Sequence, residues 1–269
     1  MNNIHTKRMV HDFWNEASCG EKLYLRAEDQ AAFEEQRHIR YELEPIQSFA
    51  NFPSFRGNRT LEIGVGLGAD HQSLAEAGAI LSGIDLTERA VDFTRARMAL
   101  FNLRSELQVA DAEKLPFADA TFDAVYSWGV VHHSPDTMAA VHEIYRVLRP
   151  GGFAKVMIYH KYSIVGCMLW LRYALGSLRP WRSLDYIYAH HLESPGTKAY
   201  RKSEVRKMFG EFSTIEVETP LSHGDLLTSQ AGQRHGGMVL AVARRLWPRW
   251  FIRHWLPQQG LFMMITLRK

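Results

Sequence analysis

Residues 61–70 read LEIGVGLGAD, an apolar run that breaks into glycines at the alternate positions 64, 66 and 68. A strand-length apolar run opening into a glycine turn and then a helix is the first unit of an open parallel sheet. Ligands of such sheets sit beyond the carboxyl ends of the strands, where a missing Cβ permits positive φ and close backbone approach. The spacing leaves the ligand open. Gly64, Gly66 and Ala69 fit the dinucleotide fingerprint G-x-G-x-x-G/A, while Gly64, Gly66 and Gly68 fit a G-x-G-x-G loop of another class. A plain tight turn is the bland alternative; three glycines in five residues, after a strand and before a helix, weigh against it.

Outward from this loop, apolar runs alternate with helical patterns. TLEIGV, AILSGIDL, ELQVAD, TFDAVYSW and GFAKVMIY read as five strands. Between them lie ADHQSLAEAG, TERAVDFTRARMALFN with Thr87 as N-cap and Glu88 in its first turn, and SPDTMAAVHEIYRVL with Pro135 early in its first turn. Strands alternating with helices of roughly 10 to 15 residues predict an α/β, doubly wound parallel sheet. Beyond Tyr159 the rhythm is interrupted by SIVGCMLWLRYALGSLRPW, an apolar and basic helical stretch. It resumes with SEVRKMFG (helix) and FSTIEVETP (strand), breaks again from Leu221 to about Gln259, and closes with GLFMMITLRK as a strand. The expectation is a Rossmann-like, seven-stranded, mostly parallel sheet with helical insertions at about 160–200 and 221–259. Residues 1–58 read as a separate helical region, with Phe33, Ile39, Leu43, Ile46 and Phe49 at roughly helical intervals before Pro53 and Gly57-Asn58 end it.

Composition sets outer bounds. Over 269 residues, 46% hydrophobic and 23% charged are ordinary values for a globular protein. The net charge of +3 is unevenly spread: no acidic residue lies between Glu143 and Asp185 and none follows Asp225, while arginines recur in both stretches. Two distant cysteines, Cys19 and Cys167, exclude a disulfide framework and a four-cysteine zinc site, so a reducing, cytoplasmic setting is expected. The N-terminus lacks a signal-like apolar core, and no stretch reaches about 18 uncharged apolar residues.

Asp85 ends the second strand, where a carboxylate can accept both ribose hydroxyls of either nucleotide class. Discrimination comes later in the chain. LEIGVGLG, GIDLT, ADAEKLPF, FDAVYSWGVVHH and LRPGG follow one another in this order and spacing over about residues 58–158. This set resembles the class I S-adenosylmethionine-dependent methyltransferases, in the ubiquinone/menaquinone-type (methyltransferase type 11-like) group. The resemblance implies that Glu62 helps hold the methionine ammonium through the loop, and that Gly64, Gly66 and Gly68 form the loop lining methionine and ribose. It implies Asp85 on the ribose hydroxyls, Leu86 against adenine, Asp111 on the adenine amine, the Ala112 backbone on the ring, and the Trp128 carbonyl near the methionine amine. LRPGG is read as a structural turn into strand five. Three acidic side chains suit a ligand that carries a sulfonium and an ammonium and no pyrophosphate. A dehydrogenase would call for a Tyr-x-x-x-Lys pair or similar after strand four, and none is there.

Methyl transfer is an in-line displacement that depends on placing a nucleophile, with a base needed only where that nucleophile must lose a proton. The base candidates are His133, His132, His160 and Tyr159, all at the ends of strands four and five; scaffold or solvated-loop roles stand beside each. His190-His191 and His223 lie in the insertions. No acidic or cysteine partner has convincing spacing for a His-based metal site, so no metal is expected. By resemblance the N-terminal helices form a lid, with Phe13, Trp14 and Tyr24 as pocket-wall residues; Cys19 reads as an incidental small residue. Ile164, Met168, Leu171 and Leu175 form one helical stripe, with Met168 a substrate-pocket candidate and core capping the alternative. VLAVARRLWPRWFIRHWLPQQG interleaves Trp247, Trp250, Phe251 and Trp255 with arginines. A peripheral membrane contact, an acidic or lipid-like acceptor, and arginines snorkelling round an aromatic core all fit it; nucleic acid is not expected. The reading is a small-molecule methyltransferase acting on an apolar, lipid- or polyketide-like acceptor. O-methylation leads, with C- or N-methylation and a non-catalytic S-adenosylmethionine-binding accessory role as alternatives.

Overall fold

The computed structural model describes residues 3–43, 45–228 and 244–269. Its centre is a seven-stranded sheet built from β1 (Arg59–Ile63), β2 (Ile80–Asp85), β3 (Glu106–Val109), β4 (Phe122–Trp128), β5 (Leu148–Tyr159), β6 (Thr214–Glu218) and β7 (Phe262–Arg268), in the order β3-β2-β1-β4-β5-β7-β6. All pairings are parallel except those of β7, which runs antiparallel to both β5 and β6. The order reverses next to β1, which opens a crevice at the carboxyl ends of β1, β2 and β4.

Helices cover both faces, and strand alternation sorts the core. On β4, Ala124, Tyr126 and Trp128 join Phe52, Phe55, Leu74 and Tyr188 on one face, while Phe122 and Val125 join Val141, Ile144 and Val205 on the other. On β5, Met157 and Tyr159 face the first side and Val156 and Ile158 the second. Around the crevice the sheet connects through α5 (Ala69–Glu76), α6 (Glu88–Leu100) and α7 (Thr137–Val147). Thr87 caps α6 as expected, its hydroxyl accepting from the Ala90 amide at 3.3 Å.

Three expectations are corrected in detail. Pro135 lies outside α7; Asp136 is the cap, its carboxylate accepting from the Ala139 amide at 3.0 Å. LRPGG does not turn into β5 but belongs to it: the strand starts at Leu148 and absorbs Pro150-Gly151-Gly152 in a register shift against β4. The N-terminal helical region breaks into α1 (Asn3–Glu16), α2 (Glu21–Tyr24), α3 (Gln30–Leu43) and α4 (Ile46–Ala50), with Pro45 separating the last two.

α3 docks on the Rossmann-like body through a buried cation. Arg97, fully buried on α6, donates to Gln72, Gln36 and the carbonyls of Leu67 and Phe33. Arg40 pairs with Asp70 at 2.9 Å, and the Tyr126 hydroxyl donates to the same carboxylate at 3.1 Å. The first insertion carries α8 (Ile164–Trp170), a π-turn over Leu171–Leu175, and α9 (Leu184–His191). α10 (Lys202–Met208) precedes β6, and α11 (His223–Leu226) and α12 (Arg249–Trp255) lie between β6 and β7. The part of the second insertion over 229–243, including the start of VLAVARRLWPRW, lies outside the described residues.

Candidate functional site

The loop after β1 is fixed by its own backbone bonds: the amides of Gly64 and Val65 both donate to the Ile84 carbonyl, at 2.7 and 3.2 Å. Gly64 and Gly66 adopt φ of +83° and +52°. A Cβ on Gly64 would meet Val130 Cγ2 at 2.1 Å, so this glycine lets the loop pack onto the segment after β4. A Cβ on Gly66 would meet nothing within 4 Å. Open space therefore lies above the loop at Gly66, and the chain leaves room there for a ligand. Gly68 caps α5 with φ of +76°.

Asp85 ends β2 beside this space. Its Oδ2 accepts from the Gly66 amide at 3.2 Å and its Oδ1 from the Thr87 amide and hydroxyl at 3.0 and 2.9 Å. Burial raises its pKa, and these donors work against that rise. Leu86 follows, half-buried. Glu62 is turned beneath the loop: it is buried and bonds His71 Nδ1 at 2.7 Å, while His71 Nε2 reaches Ser105 at 2.6 Å. Burial, then the nearby Asp70, pushes the Glu62 carboxyl well above the usual range. Asp111 lies just past β3, its Oδ1 accepting from the Glu113 amide at 2.9 Å, with Ala112 buried next to it.

At the far flank, Trp128 ends β4, buried between Phe49 and Phe262. The 3₁₀ turn Val131–His133 follows and brings His132 and His133 side by side, ring centroids 4.3 Å apart. His132 also packs on Tyr159 at 4.2 Å. Both nitrogens of His132 are buried and without a hydrogen-bond partner, and burial, then the neighbouring His133 and Lys198, holds its pKa well below the usual value.

His133 is oriented by the first insertion. Its Nδ1 lies 2.8 Å from Ser194 Oγ and 3.2 Å from Thr197 Oγ1. The Thr197 hydroxyl donates its proton to the Ser194 carbonyl at 2.7 Å, so it faces His133 with lone pairs only. That assigns the ring proton to Nδ1 and leaves Nε2 a bare acceptor. Nε2 is buried, has no hydrogen-bond partner, and lies 3.4 Å from Glu193 Oε2. The Tyr159 hydroxyl donates to that same Oε2 at 2.7 Å. Two acceptors facing each other across 3.4 Å call for a proton donor or a cation between them. His132, His133 and Glu193 bring their ligating atoms within 4.8 Å of one another; Glu193, about 60 residues away in sequence, is the acidic partner that spacing along the chain did not reveal.

The remaining candidates separate. Trp14 on α1 packs edge-on to His133 at 5.4 Å, with Phe13 against Trp14. α1 also crosses the crevice, because Lys7 pairs with Asp111 at 2.5 Å and Glu113 at 2.6 Å. It thus touches both flanks of the crevice. Alternation sends the side chain after Tyr159 to the opposite side of β5, so His160 faces the Gly260 carbonyl at 3.2 Å and does not join His132 and His133. Tyr24 packs beneath Gly20 on α2, and Met168 packs with Leu226 and Ile252; neither is brought to His133. Lys7, Glu193, Ser194 and Thr197 were missed in the sequence, where only the polar cluster ESPGT within an insertion hinted at the last three.

Residues 61–156 match a family model described as a methyltransferase domain. Among curated proteins, an uncharacterized protein of Mycobacterium tuberculosis is 36% identical over 126 residues, covering 47% of this chain and 44% of that one. The 27-O-demethylrifamycin SV methyltransferase of Amycolatopsis mediterranei is 38% identical over 103 residues, covering 37% and 38%. The chain thus spans less than half the length of these relatives. The solved S-adenosylmethionine dependent methyltransferase of Mesorhizobium loti superposes with a TM-score of 0.53 at 18% identity, over 83% of this chain and 96% of that one.

Proposed function

We propose that the methyltransferase domain matched over residues 61–156 binds S-adenosylmethionine and that the chain methylates an oxygen of a small, apolar acceptor with His133 as the base. The observation that carries this reading is the His133 ring: Nδ1 is held on Thr197 and Ser194, and Nε2 is buried, bare and next to Glu193. An acceptor hydroxyl brought within hydrogen-bond reach of Nε2 would give its proton to that nitrogen as its oxygen forms the bond to the methyl carbon, and the Glu193 carboxylate would stabilise the imidazolium so formed. When bound, S-adenosylmethionine supplies a methyl group on a sulfonium, ready for in-line displacement. Asp85 would take the ribose hydroxyls, Asp111 and the Ala112 backbone the adenine, and Gly64, Gly66 and the Trp128 carbonyl the methionine end. The acidic set and the open space over Gly66 fit such a ligand.

Trp14, Tyr159, His132 and Phe262 give the acceptor side an aromatic lining that favours an apolar, lipid- or polyketide-like molecule and a role in small-molecule biosynthesis. The name of the Amycolatopsis relative supports an oxygen as target. An amine acceptor is the second reading, favoured by the Glu193 carboxylate among these rings. The test is a metabolite panel incubated with the protein and S-adenosylmethionine. Expected is S-adenosylhomocysteine release with a one-methyl mass gain on a hydroxyl; a gain on nitrogen supports the second reading. Thermal stabilisation by NAD and not by S-adenosylhomocysteine would sink both.

A further inference from the structure

We propose that the surface formed by residues 171–186 of the first insertion and by residues 245–255, which include α12, docks on an anionic phospholipid membrane. Three of the seven tryptophans are exposed among the described residues, Trp181, Trp250 and Trp255, at 77, 74 and 62%, and all three lie in these two segments. Leu178 and Leu246, at 84 and 75% exposed, lie there too. Monomeric soluble surfaces scatter single apolar residues; a concentration of large aromatic and aliphatic side chains marks an interaction surface.

The two segments are joined through α8. The stripe Ile164–Met168–Leu171–Leu175 begins against Ile252 of α12, where Ile164 and Met168 pack with it, and emerges bare at Leu171 and Leu175, each about half exposed. One side of α12 is used for that packing through Ile252 and Leu256, which turns Trp250, Phe251, His254 and Trp255 outward. Trp250 stacks on His254, which meets Trp255 edge-on at 5.0 Å, and Phe251 lies tilted beside Trp255 at 6.5 Å, so the outward side chains form an aromatic cluster.

Charge selects the partner. The chain has no acidic residue between Glu143 and Asp185 or after Asp225. Asp185, next to the first segment, is neutralised by Lys161 at 2.6 Å. Arg172, Arg179, Arg245 and Arg253 are exposed around the bare side chains. Arg179, Arg182, Trp181 and Tyr186 line a shallow open depression, with the Arg182 guanidinium 4.8 Å from the Tyr186 ring. Tryptophans that prefer the headgroup level, set among arginines in stretches without acidic residues, match the interfacial zone of an anionic bilayer. No helix of the described residues is long and apolar enough to cross a membrane, so the contact is peripheral. The proposal does not rest on methyl transfer, because binding is read without turnover.

The test is flotation of the full chain with vesicles of phosphatidylcholine alone and of phosphatidylcholine mixed with phosphatidylglycerol, with tryptophan emission recorded in parallel. Expected is binding to the mixed vesicles with a blue-shifted emission, weakened by salt. Trp250→Ser with Trp255→Ser should weaken partitioning about tenfold or more, as should Arg245→Glu with Arg253→Glu, two exposed charges. Retained melting temperature shows that each pair folds. Absence of binding to either vesicle, equal binding by both double variants, or a second copy covering this face in sedimentation velocity would overturn the proposal.

Discussion

Lys7 Nζ on α1 lies 2.5 Å from Asp111 Oδ2 at the end of β3, so the N-terminal helix is tied to the carboxylate proposed to receive the adenine amine. The same ammonium holds Glu113 at 2.6 Å. The cofactor and Lys7 then compete for one oxygen, and Glu113 gives Lys7 a place to go.

Lys7→Met removes the competitor. The pair is about one-third exposed, and such ion pairs contribute at most about 1 kcal/mol, so the effect is modest. S-adenosylhomocysteine should associate about two- to fivefold faster with the variant, followed by the emission of Trp14, which moves with α1. Slower association would mean that Lys7 assists cofactor entry instead of opposing it.

The glycine loop, the β2 carboxylate and the alternation of strands and helices were legible because each is a local pattern: Gly64 and Gly66 follow a strand and precede a helix, and Asp85 ends the next strand. Parallel pairing of five alternating strands follows from connection length alone. What stayed hidden is non-local. Glu193 and Thr197 reach His133 only because α9 folds back over the end of β5, and nothing near His133 in sequence announces them. His160 misled because Tyr159 and His160 are neighbours in sequence and opposites in space, and Met168 because a helical stripe does not say which neighbour it meets.

Thr197 fixes the tautomer of His133, and removing it tests the role of the ring. Thr197→Val leaves Ser194 as the sole partner of Nδ1, and its hydroxyl can rotate to donate, which turns Nε2 into a donor. Turnover should fall about tenfold in this variant and about 10²- to 10⁴-fold in His133→Gln, the usual range for loss of a positioned base. S-adenosylhomocysteine affinity, measured by calorimetry, should stay within about threefold in both, since neither residue is assigned a cofactor contact. Normal turnover in both variants would reduce catalysis here to placement alone.

His132 predicts an acid-sensitive fold. Burial without a partner depresses its folded pKa well below the ordinary 6.5, so below pH 6.5 the unfolded chain binds a proton that the folded chain does not. Stability therefore falls as pH drops through 6.5, by about 1.4 kcal/mol for each further unit until the folded pKa is reached. Urea unfolding near neutrality and one unit below 6.5 should show at least this slope in the wild-type protein, to which His71, held at about 3 by burial, adds its own share. His132→Gln should be shallower by about 1.4 kcal/mol over that unit. Parallel losses in the two proteins would place the acid sensitivity elsewhere.

Gly64 and Gly66 share a positive φ but not a role, and alanine separates them. At Gly64 the new Cβ would sit 2.1 Å from Val130, adding overpacking to the left-handed backbone. The two together should cost about 2–5 kcal/mol of stability. Val130→Ala in that background should recover about 1–3 kcal/mol, the packing part, and leave the backbone part unrelieved. At Gly66 the Cβ enters open space, so the fold should lose only about 1–2 kcal/mol for the backbone. That same space is where the ligand would approach, so Gly66→Ala should lose S-adenosylhomocysteine binding by about tenfold or more while staying folded. Chemical unfolding and calorimetry on the three variants separate the effects. Wild-type affinity in Gly66→Ala would move the cofactor away from the loop, since a methyl group cannot share the space with it.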